Sequence, residues 1–342
     1  MDHALTAINR TTSMRLRLLV VELWRLGDLA VASPFLQLAS QHFEVTLIAQ
    51  PLAEELRRRF WPEVCVIPFV APWTVFRGKY KLHKWDWKAM RQLLDRVRTQ
   101  KFDAVVSARW DPRDHLLMAL TGAKRRYGFP RLGSQAVLTD PLNHKVPLSH
   151  RYWYWQQLAK ALGLDLPPHS TPQQRVDGGQ IVIHTGASQP VKVWSLERYG
   201  RLVRRLRQKG YTVQVLCDAG QQPFWREFGE NVVVPRNLTE LCAVMDSAEI
   251  FIGNDSGPGH LAAASGIPTF TIFGNQSPAM FAPIHPASEW VEGAPCRYKP
   301  CYDSCRFEAP YCLLDVDEEV VCKRIEEFAL KQMSIQQKFA RT

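Results

Sequence analysis

Three short segments of this chain gather residue types able to do chemistry, and each follows an apolar run. The first is Trp24, Arg25, Leu26, Gly27 and Asp28. Gly27 permits a tight turn and a close approach by a substrate. Asp28 then opens a helix, where a carboxylate has two uses. It caps the helix and complements its dipole, or it accepts a proton from a substrate hydroxyl. The second segment runs from Gly186 to Ser195 and contains Ser188, Lys192 and Trp194. Its small residues free backbone N–H groups to face a phosphate at a helix start. Lys192 would supply the counter-charge for a diphosphate; the plainer reading is an exposed lysine on a loop. The third segment is the densest: Gly253, Asn254, Asp255, Ser256, Gly257, Pro258, Gly259 and His260, leading into small residues and Pro268. Asp255, Ser256 and the amides at this helix start suit diphosphate, ribose or sugar hydroxyls. Capping by Asp255 or Ser256 is the alternative, and it does not explain why so many polar and glycine residues gather there. No Gly-x-Gly-x-x-Gly run is present, so a dinucleotide is poorly supported.

The chain has eight cysteines. Cys65, Cys217 and Cys242 are scattered and read as small buried hydrophobes. Cys296, Cys301, Cys305 and Cys312 crowd together without a C-x2-C pair. They read as reduced thiols in a loop packed on the body, with a structural zinc or iron as the alternative.

These segments need elements to position them, and the chain supplies strands alternating with helices. In the first half, strands are expected over Leu18–Leu23, Val45–Ala49 and Ala104–Ser107. Helices are expected over Leu29–His42, Ala53–Phe60 and Trp85–Gln100. In the second half, strands are expected over Ile181–His184, Thr212–Leu216, Glu249–Ile252 and Thr269–Phe273, with helices over Leu196–Lys209, Leu238–Ser247, His260–Ser265 and Glu318–Lys338. Such alternation predicts parallel sheets covered by helices. Leu166 to Pro172 is rich in Pro and polar residues and reads as a linker, so the expected domains are 1–170 and 171–342. The loops after strands are where ligands bind in open α/β sheets.

Composition agrees with folded globular structure: 46% hydrophobic and 22% charged residues over 342 positions, a length that suggests two domains. Charge is one-sided. Residues 1–170 hold 25 Lys+Arg against 14 Asp+Glu, a net of +11, and the remainder 18 against 19, a net of −1. A basic half implies an anionic partner, whether phosphate groups, an acidic membrane surface or nucleic acid, or a generic solubilising surface. No stretch has the roughly 20 apolar residues of a membrane span. No signal peptide is recognised before Met14, itself a candidate start, so a cytoplasmic location is expected. Trp85, Trp87, Trp153 and Trp155 lie among Lys and Arg, which suits either a membrane interface or core helices with snorkelling cations.

Taken in order, the three segments resemble the ADP-heptose:lipopolysaccharide heptosyltransferase family, glycosyltransferase family 9. The resemblance rests on the run Arg25 to Asp28, on Lys192-x-Trp194, on Asp255-Ser256-Gly257-x-x-His260 continuing to Pro268, and on Phe273-Gly274. Phe102 to Val106 and Gly122 to Gly128 add to it. It implies a GT-B fold, in which two Rossmann-like doubly wound domains face a central cleft. It further implies inverting transfer from ADP-heptose to a lipid A–Kdo-type core acceptor, without a catalytic metal. Asp28 becomes the expected general base and Arg25 an acceptor contact. Ser188, Lys192, Asp255, Ser256, Gly257 and His260 become donor contacts, with the basic half on the phosphorylated acceptor and peripheral contact at the inner face of the inner membrane. Certain protein-modifying relatives hold iron with cysteines. The chain departs from the pattern at Ser195, where the family often has Pro, and at Asn275, Gln276 and Ser277, where many members have a Pro-Thr-Asp-type run. Both departures lie on the donor side and leave nucleotide and sugar open. A related enzyme with another nucleotide-sugar or a different envelope-glycan or protein acceptor is the first alternative. A nucleic-acid-binding protein is the second, and no nucleic-acid module supports it.

Overall fold

A computed structural model of the chain describes residues 15–75, 79–143, 149–171, 179–301 and 304–339. Met14 and Pro172, the end of the expected linker, lie outside the described residues. The chain divides into two compact units, Met1–Pro168 and His169–Thr342.

The first unit runs β1 (Arg17–Glu22), α1 (Leu26–His42), β2 (Glu44–Ala49), α2 (Ala53–Phe60), β3 (Cys65–Pro68), α3 (Trp87–Gln100), β4 (Ala104–Val106), α4 (Pro112–Leu120), β5 (Arg125–Gly128), β6 (Asp140–Pro141) and α5 (Arg151–Ala161). Its sheet has the order β3-β2-β1-β4-β5-β6, and every pair is parallel. The second unit runs β7 (Gln180–His184), α6 (Leu196–Gln208), β8 (Thr212–Leu216), α7 (Gln222–Glu227), β9 (Val232–Val233), α8 (Leu238–Met245), β10 (Ala248–Asn254), α9 (Gly257–Ala264), β11 (Thr269–Phe273), α10 (Pro278–Phe281), β12 (Glu289–Glu292), α11 (Tyr311–Leu314) and α12 (Glu318–Phe339). Its order is β12-β11-β10-β7-β8-β9, again all parallel. Read from the other edge this is the same winding, the 3-2-1-4-5-6 order of doubly wound sheets.

The sequence explains the central strands directly. Leu18 to Val21 in β1 and Ile181 to Ile183 in β7 are unbroken apolar runs with no exposure, as a strand buried on both faces requires. In α6, Tyr199, Leu202, Val203 and Leu206 share one buried face. The helix ends where Gly210 adopts φ 88°, a left-handed cap that glycine enters without steric cost. Helix α3 begins at Trp87, two residues later than its apolar pattern suggests, because the Asp86 side chain caps it by accepting from the Ala89 N–H at 2.8 Å.

Other expectations need correction. Cys65 is exposed on the edge strand β3 instead of being buried. Trp155 belongs to the core: it is buried in α5 and packs on Phe35 with ring centroids 4.9 Å apart. Helix α5 was not among the helices expected from periodicity, because four consecutive aromatics, Tyr152 to Trp155, blur its apolar face. No helix among the described residues is long and apolar enough to cross a membrane.

Helix α12 buries Val321, Ile325 and Phe328 in the second core. Arg198, Arg201 and Arg205 of α6 pair with its Glu318, Glu319 and Glu326. Burial should dominate here, since partly exposed ion pairs are weak. Ile325→Ala is expected to cost about 2–5 kcal/mol in denaturant unfolding. Arg201→Ala, which removes an ion pair on a half-exposed side chain, should leave the midpoint unchanged within error.

Candidate active site

Each sheet reverses its winding between two adjacent strands, and each candidate segment lies just past the C-terminal end of one of them. In the first unit the pair is β1 and β4, registered Leu18↔Ala104 to Val20↔Val106. In the second it is β7 and β10, registered up to His184↔Gly253. Crevices at such switch points are where open α/β sheets bind ligands.

In the first unit, Asp28 lies in the first turn of α1, but the residue at the cap position is the exposed Arg25, and no side chain caps that helix. The carboxylate turns instead to Arg109, which follows β4, and forms an ion pair with its Nη2. The same guanidinium lies 3.8 Å from Glu22, the last residue of β1, and 4.6 Å over the Trp24 ring. The Trp24 N–H donates to Glu22 Oε1 at 3.2 Å. Burial pushes the Glu22 carboxyl up to about 7, against the opposing pull of Arg109. Asp114 of α4 is likewise buried and raised to about 7, chiefly by desolvation, and it accepts from Trp73 Nε1 at 2.7 Å. The site is thus built for a carboxylate that is paired and partly accessible, with further acids behind it.

In the second unit, Lys192 ends a single 3-10 turn, Pro190–Lys192, and its Nζ lies 2.7 Å from Asp255 Oδ2 across the switch point. Two ammonium protons remain for another acceptor. Asn254, the last residue of β10, ties the two loops together. Its Oδ1 accepts from the Trp194 N–H at 3.0 Å and the Tyr199 hydroxyl at 2.9 Å. Its Nδ2 donates to the carbonyls of Thr185 and Gly186 at 3.0 and 3.3 Å. The close approach demands glycine at Gly253, where a Cβ would sit 2.9 Å from the backbone carbonyl of His184. Ser256 occupies the cap position of α9, yet its side chain makes no cap bond, and its buried Oγ has no hydrogen-bond partner among the described residues. His260 is buried in the first turns of that helix, Gly257 begins it, and Ser188 is exposed on the Lys192 loop.

The two departures from the family pattern have local uses. Ser195 caps α6, accepting from the Arg198 N–H at 3.5 Å. The side-chain amides of Asn275 and Gln276 donate to the Cys301 carbonyl at 2.7 and 3.1 Å, and the Asn275 carbonyl accepts from the Cys301 N–H at 2.9 Å. The cysteine segment is therefore anchored on the body. The Cys301 and Cys305 thiols face the carbonyls of Tyr298 and Ala309 at 3.3 and 3.5 Å. Burial, helped by the neighbouring cysteines, pushes Cys301 up; burial likewise raises Cys312. Among the described residues no group of three or more His, Cys, Asp or Glu is arranged to hold a metal ion.

The family model for glycosyltransferase family 9 (heptosyltransferase) matches residues 90–310, which include both the Lys192 and the Asp255 loops. The chain belongs to glycosyltransferase family 9. Lipopolysaccharide heptosyltransferase 3 of Escherichia coli is 32% identical over 104 residues, 28% of this chain and 30% of that protein. The match therefore spans less than a third of that relative's length. Lipopolysaccharide heptosyltransferase 1 of Pseudomonas aeruginosa is 25% identical over 289 residues, 73% of this chain and 79% of the relative. Among solved structures, the Escherichia coli heptosyltransferase WaaC with ADP aligns with a TM-score of 0.71 at 17% identity, covering 92% of this chain and 100% of the other. As a family 9 glycosyltransferase, this protein has the GT-B class of fold.

Sequence reading brought out Asp28, Lys192 and Asp255, gave Asn254 no role of its own, and missed Glu22 and Arg109. None of these last three stands out by residue type; what marks them is their place at or just past the ends of the strand pairs that flank the switch points, which only the sheet order reveals.

The raised acids of this glycosyltransferase have a stability signature. Glu22 ionises at 4.5 when free and about 7 when folded, and Asp114 at 3.8 and about 7. Between those values the folded state holds protons that the unfolded chain has released. Their stabilisation is complete below about pH 4 and is lost as pH rises to about 7. Relative to wild type, Glu22→Gln and Asp114→Asn are each expected to gain on the order of 1–3 kcal/mol in urea unfolding as pH rises from 4.5 to 7.5. A pH-independent difference would mean that neither acid is held protonated.

Proposed function

We propose that this glycosyltransferase moves a heptose from ADP-heptose to an anionic lipopolysaccharide-core glycolipid, with inversion and with Asp28 as general base. The observation that carries the reading is the Asp28 carboxylate, which stands at a switch point and is not consumed by capping its own helix. The similarity to lipopolysaccharide heptosyltransferases supports the substrate class. In the proposed step, an acceptor hydroxyl gives its proton to Asp28 as its oxygen attacks the anomeric carbon. The bond to the diphosphate breaks on the opposite side, and its electron pair leaves with the diphosphate.

The donor is assigned to residues 171–342 and the acceptor to 1–170. Lys192 contacts the donor diphosphate through its remaining N–H donors while Asp255 holds it in place. The unpartnered Ser256 hydroxyl and the amides from Gly257 onward supply donor hydrogen bonds, with Ser188 and His260 lining the same loops. On the acceptor side, Arg25 and the basic surface of the first half meet phosphorylated sugar. Tyr80, Leu82 and Trp87 are exposed beside Lys79, Lys81, Lys84, Lys88 and Arg91, a mixture that suits peripheral contact with an anionic bilayer on its cytoplasmic face. Cys296, Cys301, Cys305 and Cys312 serve as an anchored thiol-bearing loop with no part in the chemistry. A second reading keeps the mechanism and changes the nucleotide-sugar or the acceptor, and the donor-side departures at Ser195 and Asn275–Ser277 favour it.

A thermal-shift series over nucleotide sugars separates the two. ADP-heptose and ADP should raise the melting temperature, because a ligand of the folded state stabilises it. Lys192→Ala should weaken ADP-heptose binding about 10- to 100-fold, the scale of one charge-assisted hydrogen bond. Stabilisation by UDP- or GDP-sugars and not by ADP ligands would transfer the assignment to the second reading.

A further inference from the structure

Arg109 is one cation serving two carboxylates. Its guanidinium pairs with Asp28, lies 3.8 Å from Glu22 Oε1, and is stacked on Trp24 at 4.6 Å with only 15% of its side chain exposed. Its Nε is buried without a hydrogen-bond partner among the described residues. Its backbone is held too, since the His115 ring contacts the Arg109 carbonyl through Nε2 at 3.0 Å and Ser134 through Nδ1 at 2.8 Å. The guanidinium cannot swing out to solvent without losing the Trp24 stack. What can change is how it divides itself between the two acids. Glu22 is the more buried of them, with a side chain 2% exposed against 25% for Asp28.

We propose that Glu22 is a positioning residue that controls, through Arg109, how readily Asp28 takes the proton of the acceptor hydroxyl. The proposal rests on the reading of Asp28 as base. With Glu22 protonated, Arg109 belongs to Asp28 alone, and a carboxylate tied to a buried guanidinium is a poor proton acceptor. With Glu22 ionised, the guanidinium is shared, and the negative charge of Glu22 favours a proton arriving at Asp28. Among the described residues, the groups that face Glu22 from the elements around it are few. From its own loop comes the Trp24 N–H, from α1 Asp28, from the β4–α4 connection Arg109, and from α4 the charge of Asp114. Asp111 at the start of α4 is occupied by Arg113, and burial keeps His115 toward its neutral form. Burial places the Glu22 ionisation near neutral pH, where a change in its charge is felt under working conditions.

The test is the pH dependence of kcat/KM in the full-length protein. Wild type should rise about tenfold between pH 6 and 8, as one group with a midpoint near 7 ionises. Glu22→Gln, which keeps the shape but never ionises, should lose that rise and stay at the low-pH level, with donor affinity unchanged. Asp114→Asn, which removes the other raised acid, should keep it. If Glu22→Gln is not recovered folded, Glu22→Asp draws the carboxyl back from Arg109 by one methylene and should displace the midpoint. An inflection that persists in Glu22→Gln, or that disappears with Asp114→Asn, overturns the proposal while leaving Asp28 as base. Turnover that survives in Asp28→Asn overturns the base reading and this proposal with it.

Discussion

Around Asp28 the first unit gathers carboxylates, although the unit as a whole is basic. Glu22, Asp28 and Asp114 crowd the ends of β1, α1 and α4, and one well-placed cation, Arg109, answers them. Two buried carboxylates near one guanidinium cannot all remain ionised at low cost, because desolvation penalises each charge and the like charges repel. The observed compromise leaves Asp28 paired and partly accessible and drives the more buried Glu22 toward its protonated form. Trp24 and His115 fix Arg109 from its face and its backbone, so the compromise is geometric as well as electrostatic.

The second unit solves a different problem. A loop that, on the proposed reading, binds phosphate needs small residues to bring its backbone close, and small residues leave the loop without side chains to hold it. Asn254 supplies what is missing. From the end of β10 its amide accepts two hydrogen bonds and donates two, all with groups of the loop and helix that follow β7. That network fixes the loop on which Lys192 meets Asp255. A buried amide with its hydrogen bonds satisfied costs little, whereas one left unpaired would cost 1–3 kcal/mol. Asn254 therefore specifies one arrangement of the site, on the proposed reading the arrangement that receives a diphosphate.

Much of this was legible in the sequence. Unbroken apolar runs such as Leu18–Val21 and Ile181–Ile183 mark central parallel strands, and Gly210 marks a helix end. The short edge strands β3, β6, β9 and β12 were not legible, because two to four residues carry too little periodicity to read. Helix α5 was hidden by aromatic residues on every face. At the site, Asp28, Lys192 and Asp255 stood out by type and setting. Arg109 did not, because an arginine after a strand looks like any surface cation until the sheet places β4 beside β1. Glu22 lies inside the strand expected over Leu18–Leu23, where nothing in the sequence sets it apart. Its burial depends on neighbours more than eighty positions away, and no local pattern encodes them.

On the proposed reading, Asp28 removes a proton in the glycosyl-transfer step. The most direct measurement is single-turnover transfer by Asp28→Asn at saturating donor, with donor affinity and unfolding midpoint recorded on the same preparation. Asparagine keeps the size and polarity of the side chain and cannot act as a base. A rate lowered by a factor on the order of 10² or more is expected, with donor binding retained. A rate close to wild type, in a variant that folds and binds donor normally, would contradict that reading.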